Sequence, residues 1–239
     1  MHDSVVTQSG ERISIRHKKT SKESAVVIAH GFFQSKETST FKKIENDLLD
    51  CFDVISMDFR GHGKSTGFYT FSALEKEDLK AVLDYAHELY RKVGVLGFSY
   101  GGSIAIIEQI EFKNIDSLIC VSSPMASEDI EFKWWTPNAI RLGIRGLERG
   151  AGVRPGNPYL KKIRPIDVVQ KISPVPVFFI HGDQDPTVNC RHSQKLYEIA
   201  KEPKKLEIFE KGSHAKEIYR KYPVDFIKAV KEWFDDTLK

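Results

Sequence analysis

The chain has 239 residues, 41% hydrophobic and 29% charged, which is the composition of a globular protein and excludes a disordered or fibrous one. Lys and Arg total 36 against 33 Asp and Glu, and a net charge of +3 is too small an excess to point to nucleic acid as a partner. The uncharged stretch 93–107 is too short and, with four glycines, too glycine-rich to cross a bilayer; residues 1–20 carry six charged side chains and no apolar core, so neither a membrane span nor a signal peptide is expected.

At about 150 residues per domain, this length fits one domain over residues 1–239 carrying an insertion better than it fits two. Residues 12–17 alternate apolar Ile13 and Ile15 with Ser14 and Arg16, the pattern of an edge or half-exposed strand. The run 25–29 (AVVIA) is continuously apolar, as a strand buried on both faces must be; 54–57, 93–97, 118–121 and 175–180 share its character, and 206–209 is a weaker instance. Between them, Phe41, Ile44 and Leu48 mark one helix. Leu79, Val82, Leu83, Ala86 and Leu89 form the apolar stripe of a second. Phe226, Ile227, Val230 and Phe234 mark the last, opening near Pro223. Strands alternating with helices predict an α/β fold with a mostly parallel central sheet covered on both faces. Residues 124–174 break the rhythm, with Pro137, Pro155, Pro158, Pro165 and Pro174 and no clear buried strand. That is too long for a plain connection and predicts a small inserted cap with a helix around 138–148.

The chemistry concentrates in a few loops. Gly97-Phe98-Ser99-Tyr100-Gly101 lies between an apolar strand and the helix-like stretch 102–110. A strand, tight turn and helix in that order is what a nucleophile elbow requires, with the serine at positive φ, glycines where side chains would collide, and the helix N-terminus facing developing negative charge. A serine hydroxyl needs a base, and His214, in a Gly-Ser loop between the strand 206–209 and the last helix, is the candidate. The base needs an orienting carboxylate. Asp183 and Asp185, both in the loop after 175–180, compete for that role; capping of its own turn is a sufficient explanation for Asp183, whereas Asp185 stands further out, toward other loops. Oxyanion donors are expected from the backbone N–H groups of Tyr100 and of Phe32, the latter in His30-Gly31-Phe32-Phe33 after the strand 25–29.

The motifs HGFF (30–33), DFRGHGKSTG (58–67), GFSYGG (97–102), HGDQDPTV (181–188) and GSH (212–214) together resemble the α/β-hydrolase superfamily, and within it small bacterial carboxylesterases of the cinnamoyl/feruloyl type. The resemblance implies Ser99 as nucleophile, Asp185 as acid, His214 as base, and Phe32 and Tyr100 as oxyanion donors. It departs at Tyr100, where cinnamoyl esterases often carry glutamine. The turn around His62 is expected to shape the core and the pocket floor. The implied activity is hydrolysis of a small-molecule carboxylic ester in the cytoplasm, with no metal, flavin or nucleotide cofactor. The alternatives are a thioesterase or serine aminopeptidase on the same residues, or a non-catalytic binding protein of the same fold. Phe33, Phe68, Tyr69 and Phe71, with Trp134 and Trp135 in the cap, suggest an aromatic acyl or aryl pocket; gluing the cap to the core explains them equally well. The basic run Arg141, Arg145, Arg149, Arg154, Lys161, Lys162 and Arg164 is either a solvated face or an attractor for an anionic substrate. Cys51, Cys120 and Cys190 fit no metal spacing and are expected to be reduced thiols.

Overall fold

In the computed structural model, which describes residues 4–126 and 152–239, eight strands form one sheet in the order β1-β2-β4-β3-β5-β6-β7-β8. These are β1 (Ser4–Val6), β2 (Arg12–Lys18), β3 (Ser24–Ala29), β4 (Asp53–Met57), β5 (Lys92–Phe98), β6 (Ser117–Val121), β7 (Val177–Gly182) and β8 (Lys204–Phe209). The β1–β2 and β2–β4 pairs are antiparallel and the other five are parallel. The helices are α1 (Ser39–Leu48), α2 (Glu75–His87), α3 (Tyr100–Phe112), the single turn α4 (Pro165–Val168), α5 (Arg191–Ile199), α6 (Lys216–Lys221) and α7 (Pro223–Thr237).

The two faces of the sheet explain the continuous apolar runs. Along β3, Ala25, Val27 and Ala29 enter one core and Val26 and Ile28 the other; β6 and β7 split in the same way. The first core is closed by Leu79, Val82 and Leu83 of α2 with Ile104 of α3, and the second by Phe41 and Ile44 of α1 with Phe226, Val230 and Phe234 of α7. Gly94 of β5 has no side chain because Phe234 takes the space: a Cβ there would lie 2.6 Å from the ring. Helix starts follow local chemistry. Glu75, Glu77 and Asp78 place negative charge in the first turn of α2, and Pro223 opens α7, where its missing N–H costs no hydrogen bond.

Several expectations need correction. The strand at 12–18 is not an edge: β1 pairs along its outer side, and Ile13, Ser14 and Ile15 are buried. The stripe of α2 stops at Ala86; the helix ends at His87, and Leu89 is 46% exposed beyond it. The strand expected at 175–180 begins two residues later, after Pro174 and Pro176 have passed, and runs on to Gly182. The stretch expected to become helical at Gly102 does so from Tyr100. The helix expected at 138–148, together with Trp134, Trp135, Arg141, Arg145 and Arg149, lies outside the described residues. From residue 153 a short ladder runs against the 61–69 loop. Arg154 N–H donates to the Gly61 carbonyl at 2.8 Å, and the Tyr69 and Gly156 N–H groups bond back across it. Among the described residues no helix is long and apolar enough to cross a membrane.

Candidate active site

Ser99 stands at the end of β5, next to the middle of the sheet, with φ 51° and ψ −115°. The turn leaves no room beside it. A Cβ on Gly97 would meet Gly102 Cα at 2.5 Å, one on Gly101 would meet the Ala29 carbonyl oxygen at 2.3 Å, and one on Gly102 would meet Ser123 Oγ at 2.0 Å. The Tyr100 N–H opens α3, where helix geometry supplies no partner for it.

His214 Nε2 lies 2.9 Å from Ser99 Oγ, and its Nδ1 lies 2.7 Å from Asp185 Oδ2. The carboxylate accepts from Nδ1, so Nε2 is left with a lone pair facing the hydroxyl. Of the two competing aspartates, Asp185 makes this contact; Asp183 is exposed at the start of the loop. The Asp185 side chain is fully buried, and burial alone would push its carboxyl up. Hydrogen bonds from His181 and His214, together with the Thr187 and Val188 N–H groups on Oδ1, outweigh that and hold it well below the ordinary carboxylate range.

The loop bearing Phe32 abuts the serine: a Cβ on Gly31 would come 3.4 Å from Ser99 Cβ. Three hydrogen bonds shape the loop. Gly31 N–H donates to Gln34 Oε1, Gln34 N–H returns to the Gly31 carbonyl, and His30 Nδ1–H donates to that same carbonyl at 2.7 Å. His30 Nε2 accepts from the Phe59 N–H, so this histidine is a fixed neutral tautomer, its pKa lowered by burial. Phe32, Phe33 and Phe68 are 40%, 51% and 62% exposed, whereas Tyr69 is buried, its ring against Phe32 and Tyr100. His62 is buried, its ring 5.2 Å from that of His30 and packed edge-on against Phe32 and Tyr69.

The Tyr100 side chain is buried, and its hydroxyl accepts the Ser72 N–H and contacts the buried Glu75 carboxylate. Residue reasoning assigned no part to Glu75, Ser193 or His181. The only signal for the last was its place four residues before Asp185 in HGDQD. Cys51, Cys120 and Cys190 are all free thiols. Among the described residues no group of three His, Cys, Asp or Glu side chains is arranged to hold a metal ion.

A mostly parallel sheet with a serine at a strand-to-helix turn, followed in the chain by an aspartate and a histidine hydrogen-bonded to it in series, defines a hydrolase-type scaffold. Residues 26–226 match the alpha/beta hydrolase family, and the chain belongs to it. It is 28% identical over 190 residues to the uncharacterized protein YfhR of Escherichia coli O157:H7, covering 74% of this chain and 60% of YfhR, so it spans less than two thirds of that relative. YqkD of Bacillus subtilis, also uncharacterized, is 27% identical over 225 residues, covering 88% of this chain and 71% of YqkD. Among solved structures, the Pyrococcus furiosus esterase Pf2001 superposes with a TM-score of 0.80 at 23% identity, over 99% of this chain and 91% of that one. The Rhodococcus esterase RhEst1 gives 0.81 at 18%, over 99% and 98%. At these identities the likeness is one of fold.

Proposed function

We propose that the protein is a serine hydrolase of carboxylic esters, working in the cytoplasm through an acyl-enzyme. The observation that carries this reading is the unbroken hydrogen-bond series Ser99–His214–Asp185, with its hydroxyl end at the N-terminus of α3. His214 Nε2 takes the Ser99 proton as Oγ attacks the ester carbonyl. The Phe32 and Tyr100 N–H groups hold the resulting oxyanion, and the same imidazole protonates the departing alcohol. Water then attacks the acyl carbonyl while His214 takes its proton; the C–Oγ bond breaks, His214 returns the proton to Ser99 Oγ, and the acyl group leaves as the acid. Asp185 keeps the imidazole in the required tautomer and stabilises its cationic form. The steps use only groups of this chain and one water molecule.

Phe32 and Phe33, exposed on the oxyanion loop, with Phe68 exposed next to the Tyr69 whose ring packs on Phe32, favour an apolar or aryl acyl group. A cap within residues 124–174 belongs to the same proposal, although Val169 and Ile172 near the end of that stretch are buried in the first core. Intact-mass spectrometry after a fluorophosphonate probe tests the mechanism: one adduct on the wild type and none on Ser99→Ala is expected, with kcat on the preferred ester falling about 10⁴-fold or more in the variant. Activity of Ser99→Ala within about tenfold of wild type overturns it. A matched panel of esters, thioesters and anilides then ranks the leaving groups, with the esters expected to be turned over fastest.

A further inference from the structure

The Asp185 carboxylate is approached from two sides. His214 Nδ1 reaches Oδ2 at 2.7 Å from the site, and His181 Nε2 reaches the same oxygen at 3.1 Å from the interior. His181 Nε2 also lies 2.8 Å from the carbonyl oxygen of Val188, on the loop that carries the carboxylate. Both neighbours of Nε2 are acceptors, so that nitrogen bears the proton. His181 Nδ1 therefore offers a lone pair, and the Ser193 hydroxyl, 2.6 Å away at the start of α5, donates to it. His181 and Ser193 are both fully buried. Two serine–histidine arms thus converge on one carboxylate, one opening onto the candidate site and the other closed inside the protein.

Resting on the reading of Ser99, His214 and Asp185 as the reacting series, we infer that His181 and Ser193 are positioning residues for Asp185. The inner arm does two things. By dividing its N–H between the Val188 carbonyl and Oδ2, His181 bolts the carboxylate to the backbone of its own loop, so Oδ2 cannot turn away from His214 when the imidazole takes up the serine proton. By donating to Oδ2, it also draws negative charge away from the oxygen that faces His214. Ser193 fixes the tautomer on which both depend. Among the described residues, the titratable groups against the carboxylate are His181 at the end of β7 and His214 in the loop between β8 and α6; the Thr187 and Val188 N–H groups occupy Oδ1.

The test compares the wild type with His181→Leu, His181→Gln and Ser193→Ala. The rate of fluorophosphonate labelling is followed together with kcat, KM and the pH profile on p-nitrophenyl butyrate. His181→Leu is expected to slow labelling and kcat by about tenfold or more, the worth of a charge-assisted hydrogen bond, with KM held within about twofold. The acid limb of its kcat/KM profile moves to higher pH, because an undivided carboxylate charge favours the protonated imidazole. His181→Gln, which keeps an N–H donor, recovers most of the rate, and Ser193→Ala falls between. A folded His181→Leu with wild-type rate and profile overturns the inference, as does a His181→Gln no faster than the leucine variant, which reduces the residue to packing. If His181→Leu does not fold, an unchanged labelling rate and profile in Ser193→Ala overturns it. A wild type that takes no label overturns the underlying hydrolase reading instead.

Discussion

Ser99 is a residue whose backbone is set by its neighbours. A positive φ on a non-glycine residue costs about 1–3 kcal/mol, and it persists here because the Ser99 N–H is tied to the Val121 carbonyl at 2.7 Å and the glycines on either side let strand and helix meet. Gly101→Ala is therefore expected to destabilise the protein by several kcal/mol: its Cβ would strike the Ala29 backbone, which cannot rotate aside as a side chain would. Urea unfolding of the variant measures this, and a loss under about 0.5 kcal/mol contradicts the tightness of the turn. Asp185→Asn, which keeps the shape but replaces an acceptor oxygen with a donor, is expected to lower kcat by about 10³–10⁴-fold while leaving KM near wild type, as steady-state kinetics on the best ester will report.

At the scale of elements, loops are joined by buried charge as much as by apolar contact. Asp58, just past β4, is fully buried, and its carboxylate receives Lys36 Nζ at 2.5 Å and the N–H groups of Lys36 and Lys64; the Lys36 amine also reaches Ser14. One carboxylate thereby fastens the loop before α1 to the turn that holds His62. Lys36→Met strands that charge in the interior, and about 3–5 kcal/mol should be lost in chemical denaturation, with much of it recovered in Lys36→Met/Asp58→Leu. These joints were not legible in the sequence, because a lysine at 36 and an aspartate at 58 look like ordinary surface residues until the loops meet. The buried strands were legible, since β3, β4, β6 and β7 are apolar on both faces and no other arrangement hides them. The element α5 was missed for the opposite reason: its inward side includes His192 and Ser193, polar residues that break an apolar stripe. The three residues of β1 are too few to show any period. For the site, the tight turn at Ser99 and the chain order pointed to the residues that form the hydrogen-bonded series, but the inner arm on Asp185 depends on the loop after β7 bringing the Val188 carbonyl to His181, which spacing does not record.

The whole molecule carries a histidine signature that sets its response to acid. Burial pushes His62 down to about 3, and burial reinforced by Lys19 pushes His17 down to about 4; His30 is lowered by burial too. Each stays neutral in the fold but takes up a proton near pH 6.5 once unfolded. The unfolded state then binds more protons, so this stability is complete above about pH 6.5 and declines as the pH falls toward the folded values. Asp185, lowered in the fold, adds a loss of the same sign below the ordinary carboxylate range. For His62 the difference amounts to about 2–3 kcal/mol at pH 4.5. Urea midpoints at pH 7 and 4.5 should separate accordingly, and His62→Gln should narrow the gap; coincident midpoints contradict the neutral buried histidines.

If the protein is the serine hydrolase proposed, the 115-residue span between Ser99 and His214 also bears on when it can react during its own synthesis. Ser99, its tight turn and the oxyanion loop all belong to the first half of the chain, whereas the base and the acid arrive on loops after the last two strands. A growing chain that has exposed only Ser99 bears an ordinary alcohol, unable to capture a passing acyl group. On that reading reactivity requires β7 and β8 to be in place at the sheet edge, because the loops after them carry Asp185 and His214. The strand order then delays the nucleophile until β7 and β8 have both been made.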